Sequence, residues 1–340
     1  MISISRSRLL IPLLFSLFAI RCAHPNDPES LHPSSGGYYV VSRLQTPGFA
    51  QSVVVSDTVA YLAQGEGGVM IVSIADPSRP SILAIVEDEV RGYSYRLALR
   101  DSIVYVAAGD FGVNVINAVD PRSPYTTAPS LNMKPARGFH IMGNYLFTAI
   151  SEAGVKISEI SYPPQPDIRG GLPTPGFARA LTTTPDSAIL LVACGEMGIA
   201  LFDIRDLQGG FGSYRRLSWL DTPGYAEDVV LAGTQRYALL ACGTAGLISI
   251  DFSDSTNPRI AAIAPTAGYA RAVAYGGGKA YIAADRGGLQ VFAVDQPTLP
   301  RLLGTVETTQ AYGVTFDAHH IYVADRTEGL IIVTGPGGTP

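Results

Sequence analysis

Six residues stand out as suited to chemistry: Tyr95, Arg137, Arg179, Glu227, Arg271 and Tyr312. With Gln51 they form a series whose members fall 41 to 48 residues apart. Three arginines, a carboxylate and two phenols in one place would hold a carboxylate, a phosphate or a sugar, because a guanidinium grips planar anions through parallel N–H donors. The same set also suits a solvated channel lining in which the charges neutralise one another. Either outcome needs a fold that returns the chain to one spot every 40-odd residues.

The rest of the sequence supplies that period. A unit beginning with Gly-aromatic-small recurs seven times, with first residues Gly48, Gly92, Lys134, Gly176, Gly224, Gly268 and Thr309. Two columns never vary: Ala63, Ala107, Ala149, Ala193, Ala241, Ala283, Ala324, and Gly68, Gly112, Gly154, Gly198, Gly246, Gly288, Gly329. Within a unit, runs of four to eight residues rich in Val, Ile and Tyr are bounded by Gly, Pro and Asp, which is a strand pattern. In the first copy, strand a is expected at 52–56, strand b at 59–63, strand c at 69–74 and strand d at 81–86. Continuous apolar runs imply strands covered on both faces. The Ala column leaves room for a neighbouring sheet, and the Gly column supplies positive φ in the b–c turn.

Four-stranded units with this period are expected to build a β-propeller. The seventh copy stops at Gly335-Pro336-Gly337-Gly338 before any fourth strand, while an unassigned strand, YYVVSRL at 38–44, precedes the first copy. The expected fold is therefore all-β: a seven-bladed propeller over 37–335, closed by the N-terminal strand completing the last blade, with a short tail at 336–340. In such a ring the d–a and b–c loops share one face, and the series of six faces the channel mouth there.

The segments GVMIVSIADPSRP (68–80), GVNVINAVDPRSP (112–124), GLISIDFSDSTNP (246–258) and GLQVFAVDQPTLP (288–300) resemble the LVIVD repeat family. Copies three and four depart from its pattern, with Tyr162-Pro163 in place of Asp-Pro and LQGGFGSYRRL after Asp206. The resemblance implies a bacterial surface or secreted propeller, in a family mostly without assigned activity. WD40 repeats fit poorly, since Trp219 is the only tryptophan and no Trp-Asp dipeptide occurs.

The N-terminus reads as an address. Arg6 and Arg8 precede the 12-residue apolar run 9–20, too short for a bilayer span of about 20 residues but suited to a signal peptide at 1–21. Ala19-Ile20-Arg21-Cys22 resembles a bacterial lipobox, with Arg21 where the family has Gly, Ala or Ser, and this implies lipidation at Cys22. The polar, Pro- and Ser-rich stretch that follows suits a flexible tether over 22–36. The expectation is export, as a lipoprotein of the outer membrane or cell surface, or otherwise as a periplasmic or secreted protein. The net charge of −5 becomes −8 once Arg6, Arg8 and Arg21 are removed with no acid, which argues against nucleic acid.

Other chemical signals are sparse. Cys194 and Cys242 share a column in neighbouring copies; at a ring radius of about 10 Å they would stand roughly 9 Å apart, beyond disulfide reach, so both read as buried free thiols. His140 is alone in strand a of copy three, His24 and His32 fall in the tether, and His319-His320 is expected in an a–b turn. No metal-ligand spacing occurs. GEGG at 65–68 and GDFG at 109–112 join strands to strands, so they are not phosphate loops. A second variable column, two before the constant Gly, reads Glu66, Asp110, Glu152, Glu196, Thr244, Arg286, Thr327. Its acids suit turn caps, counter-ions for the arginine series or a cation site. Residues 207–219, with Phe211, Tyr214 and Trp219 beside Arg215 and Arg216, are an insertion that suits either partner docking or a plain c–d loop. The expectation is a monomeric, cofactor-free, non-catalytic scaffold presenting a loop face to a protein or glycan partner at the cell envelope. The alternative is a hydrolase or lyase acting on a small anionic substrate at the channel mouth.

Overall fold

The structure, a computed structural model, describes residues 35–336 apart from 88–89, 91, 131–132, 162–165, 210–213 and 234–235. The expected signal peptide, Cys22, and all but the last two residues of the tether lie outside the described residues. So do residues 337–340 of the tail.

Seven four-stranded antiparallel sheets make up the fold, a seven-bladed propeller. The strands of the first blade run Ser52–Ser56, Val59–Ala63, Val69–Ser73 and Ser81–Val86. The apolar side chains segregate into seven clusters, each between two neighbouring blades. Between blades 4 and 5, for example, Leu191 and Leu201 pack with Val229, Leu240 and Ile248. Successive strand side chains point to opposite faces, so a strand with a blade on either side buries both sets. This is why strands b and c carry unbroken apolar runs. Truncating one such residue, as in Leu240→Ala, removes about 2–5 kcal/mol of burial and packing.

The two constant columns are structural. Every constant Ala is fully buried at or near the end of strand b. Every constant Gly has φ between 67° and 83°. At Gly246 a Cβ would also lie 2.5 Å from the Ala264 carbonyl oxygen, so both conformation and space demand glycine.

In blade 7 the outer strand is Tyr39–Leu44, hydrogen-bonded antiparallel to Gly329–Thr334 from the other end of the chain. The register runs from Tyr39↔Thr334 to Leu44↔Leu330, with a bulge between Val40 and Ser42. Tyr38 is buried in the cluster between blades 6 and 7, and Arg43 meets Glu328 at 2.6 Å.

Two local expectations change. His320 is the first residue of strand b in blade 7 and half-buried; only His319 is in the exposed turn. The irregular segment in blade 4 is shorter than 207–219, because Arg215–Leu220, with Trp219, forms the regular strand d. Before it, a 3-10 turn at Arg205–Gly209 buries Leu207, and Tyr214 packs on the same cluster. Leu207 and Tyr214 therefore pack into the cluster shared by blades 3 and 4, while Phe211 lies outside the described residues.

If the pairing of Tyr39–Leu44 with the last strand holds the ring shut, deleting 38–44 exposes an edge and a cluster face together. Thermal unfolding should then move down by roughly 10 °C or more, several kcal/mol at about 2–4 °C per kcal/mol. An unchanged midpoint would contradict this.

Candidate functional site at the channel mouth

The mouth is organised by backbone. At six junctions the residue three before the constant Gly makes an antiparallel bridge to the start of strand a in the next blade: Gly65↔Ser94, Gly109↔Ala136, Ser151↔Ala178, Gly195↔Ala226, Gly243↔Ala270 and Asp285↔Ala311. At Gly243, the N–H donates to Ala270 O at 3.0 Å and the Ala270 N–H donates back at 2.9 Å. All six bridging residues have positive φ, including Ser151 (50°) and Asp285 (51°). A left-handed conformation is costly for residues other than glycine. In both cases the side chain so placed meets the arginine of its own blade. Arg137 Nε donates to Ser151 Oγ at 3.3 Å, and Arg271 donates from Nε and Nη2 to Asp285 Oδ2 at 2.9 and 2.7 Å.

The seventh turn is built differently. Buried Asp325 accepts the N–H groups of Gln310, Thr327 and Glu328 at 2.6, 3.0 and 2.9 Å. Arg326, in the bridging column, instead directs Nη1 to the Tyr312 hydroxyl at 3.2 Å and lies 4.8 Å from the Phe49 ring centroid in blade 1.

Tyr95, Arg137, Arg179, Glu227, Arg271 and Tyr312 all line one cavity of about 320 Å³, together with Gln51, Tyr93, Arg96 and Arg326. Glu227, only 9% exposed, is a hub: Oε2 accepts Arg179 Nε and Nη2 at 3.0 and 2.7 Å, and Oε1 accepts the Tyr269 hydroxyl at 3.1 Å. Burial opposes the Arg179 charge, but the adjacent Glu227 more than offsets it, so the pKa rises. Burial, then the Glu227 charge, pushes the Tyr269 phenol up to about 12. A third pair spans the channel: Arg96 of blade 2 meets Asp228 of blade 5 at 2.7 Å, and Asp228 also accepts the Val273 N–H of blade 6 at 3.1 Å.

Aromatic rings cover the guanidinium faces. Arg271 lies 4.8 Å from the Tyr269 centroid and 4.0 Å from that of Tyr312, while Arg137 lies 4.3 Å from Tyr95. Such stacking leaves the N–H edges available for in-plane hydrogen bonds.

Sequence reasoning found the arginine series but missed Arg96, Asp228, Ser151, Asp285 and Arg326. All five break columns that are otherwise glycine or small. Ser52, Gly138, Ala180, Ala272 and Gly313 fill the column of Arg96 and Asp228; Gly65, Gly109, Gly195 and Gly243 fill that of the other three. The acid column is a correction. Glu66, Asp110, Glu152 and Glu196 are exposed on the rim, and none makes an ion pair among the described residues; the counter-ions are Glu227, Asp228 and Asp285. The reason is geometric: two before the constant Gly is a corner of the b–c turn at which the side chain is exposed.

Among the described residues no group of three or more His, Cys, Asp and Glu is placed to hold a metal ion. His140 is packed between blades, its Nε2 2.8 Å from Thr183 Oγ1, and burial lowers its pKa to about 4. Cys194 and Cys242 are buried free thiols pushed up to about 12 by burial, hence protonated and poor nucleophiles at neutral pH.

Comparison with known proteins agrees with this architecture. The LVIVD repeat model matches residues 47–88, 223–266 and 267–308, which are blades 1, 5 and 6. No curated protein matches the chain. Among solved structures, the WD40 β-propeller domain of Doa1 superposes with a TM-score of 0.69 at 10% identity, covering 88% of this chain and 97% of that one. The computationally designed Ika8 protein superposes with a TM-score of 0.61 at 10% identity, covering 87% and 99%. At that identity the likeness concerns the fold alone.

Ser151 gives a test of whether the mouth is maintained at the expense of stability. Ser151→Gly removes about 1–2 kcal/mol of left-handed cost and adds roughly 0.5–1 kcal/mol of unfolded-chain entropy. The expected net is a gain of about 0.5 kcal/mol and a midpoint raised by about 1–2 °C. A lower midpoint would mean that the Arg137–Ser151 hydrogen bond outweighs the backbone cost.

Proposed function

We propose that this LVIVD-repeat propeller is an exported binding module that displays its channel-mouth face to a protein or glycan partner and grips an anionic group of that partner in the mouth. The observation that carries this is the convergence of Tyr95, Arg137, Arg179, Glu227, Arg271 and Tyr312 on one cavity in which guanidiniums outnumber carboxylates. A macromolecular partner is supported by Phe49, Phe111 and Phe177, which are 50%, 47% and 41% exposed on the loops of that same face. Exposed aromatics beside arginines are the usual composition of binding hot spots.

The competing reading, a hydrolase or lyase for a small anionic substrate, is favoured by the pocket itself, which converges polar groups as a substrate site does. The lining supports it less well. Tyr269, next to the cavity, is pushed up to about 12, far from the near-neutral value that suits proton transfer. Arginine stays protonated throughout that range.

Two experiments address the proposal. Full-length protein cross-linked in its native envelope should recover a partner that is lost with Phe49→Ala/Phe177→Ala; equal recovery by both would remove the mouth face from the reading. Consumption of a small anionic substrate, such as a glycosyl phosphate, by wild type and not by Arg137→Ala would shift the reading to the enzyme. For the anchor, a fatty-acid label should enter wild type and not Cys22→Ala, and no label in wild type would refute lipidation.

A further inference from the structure

We infer that the mouth accepts a ligand with one terminal oxyanion, carboxylate or phosphate, on an otherwise neutral body of about monosaccharide size, and that the acidic side of the rim, on blades 1 to 4, turns away extended polyanions. This rests on the mouth being the binding face and adds which chemistry enters it.

The first argument is charge. Arg96, Arg179 and Arg271 each have a carboxylate at 2.7 Å, in Asp228, Glu227 and Asp285. Arg137 and Arg326 line the same cavity with neutral partners only, Ser151 Oγ at 3.3 Å and the Tyr312 hydroxyl at 3.2 Å. Two positive charges are therefore left over among the described residues that line the cavity. An oxyanion entering there gains charge-assisted hydrogen bonds from donors already held in place.

The second argument is shape. Arg137 lies over Tyr95, and Arg326 over Phe49 and, at 5.5 Å, over Tyr312. With their faces covered, both guanidiniums offer N–H edges, which fit a planar or tetrahedral oxyanion and not a halide-like point charge. A cavity of about 320 Å³ is at the small end of ligand pockets, about 300–1,000 Å³. The Tyr93 and Tyr95 rings, 4.7 Å apart between centroids, add an apolar wall for the body of the ligand.

The third argument is the rim. Glu66, Asp110, Glu152 and Glu196 stand exposed on four successive blades around the opening. A ligand with its charge confined to one end places that end on the arginines and shows the rim neutral atoms. A chain of anions leaving the mouth over those blades meets repulsion within a Debye length of about 8 Å, whereas blades 5 to 7 carry exposed Thr244, Arg286 and Thr327 in the same column. Discrimination of this kind needs a repulsive element as well as an attractive one; the acids occupy b–c turns of blades 1 to 4, while Arg137 directly precedes strand a of blade 3 and Arg326 sits in the b–c turn of blade 7.

The test is calorimetric titration of the full-length protein with glucuronate, glucose 6-phosphate, glucose and a heparin-derived hexasaccharide. At least one of the two acids should bind and glucose should not; the tighter acid identifies the source of the oxyanion. Arg137→Gln/Arg326→Gln should weaken that binding at least tenfold. The hexasaccharide should bind wild type more weakly than the acid, and should gain at least tenfold when the rim carries Glu66→Gln, Asp110→Asn, Glu152→Gln and Glu196→Gln. The inference is overturned if neither acid binds, if the folded arginine variant binds the acid as tightly as wild type, if the rim variant binds the hexasaccharide no better than wild type does, or if the hexasaccharide is the strongest ligand of wild type. Should the arginine pair misfold, the rim variant, altered only at exposed residues, still decides the matter. Binding of a small acid without any envelope partner would remove the partner reading alone; a captured partner with no acid binding would remove this inference alone.

Discussion

Backbone hydrogen bonding at the channel mouth ties blades 1 to 7 together at six successive junctions, and much of the rest follows from it. The bridging residue in the b–c turn must be left-handed to turn its N–H and C=O toward the neighbouring blade, as at Gly243↔Ala270. Its partner must be small, and the partners are Ala or Ser, all buried. The side chain after each partner then projects into the mouth, which is how Arg137, Arg179, Glu227 and Arg271 reach one cavity from four blades. Regular backbone is the device that gathers irregular side chains.

The irregularities are where the ring acquires a chemical character. Ser151 and Asp285 keep the left-handed backbone without glycine and use their side chains on Arg137 and Arg271. Arg326 sits in a turn rebuilt around Asp325, so the junction of blades 7 and 1 has no bridge among the described residues and has a cation–ring contact to Phe49 instead. Arg96 and Asp228 place a strut across the channel beneath the mouth. Backbone held in a costly conformation at such a place is a pointer to function. The electrostatic outcome is a cationic cavity inside a partly acidic rim.

The scaffold was readable in advance because its determinants are local and repeated. Period, strand ends and the two constant columns follow from turn chemistry and from burial on both faces, and the first-blade strands match to within one residue. The arginine series was readable for the same reason. What could not be read was pairing between copies. That Glu227 serves Arg179, or that Arg96 meets Asp228 three blades away, depends on the ring's closure and on side-chain reach. The rim acids were misassigned as possible counter-ions because a column position does not reveal that its side chain is left exposed and, among the described residues, unpaired with an arginine. Had every break in a glycine or small column been treated as the arginine series was, Ser151, Asp285, Arg326, Arg96 and Asp228 would have been marked as well.

The central claim is that the mouth holds excess positive charge aimed inward by stacked arginines. The most direct measurement is an anomalous difference map from a crystal of the protein soaked in selenate. The account predicts a selenium peak inside the mouth, within hydrogen-bonding distance of Arg137 or Arg326. Selenate bound only elsewhere on the surface, with the mouth empty, would contradict it.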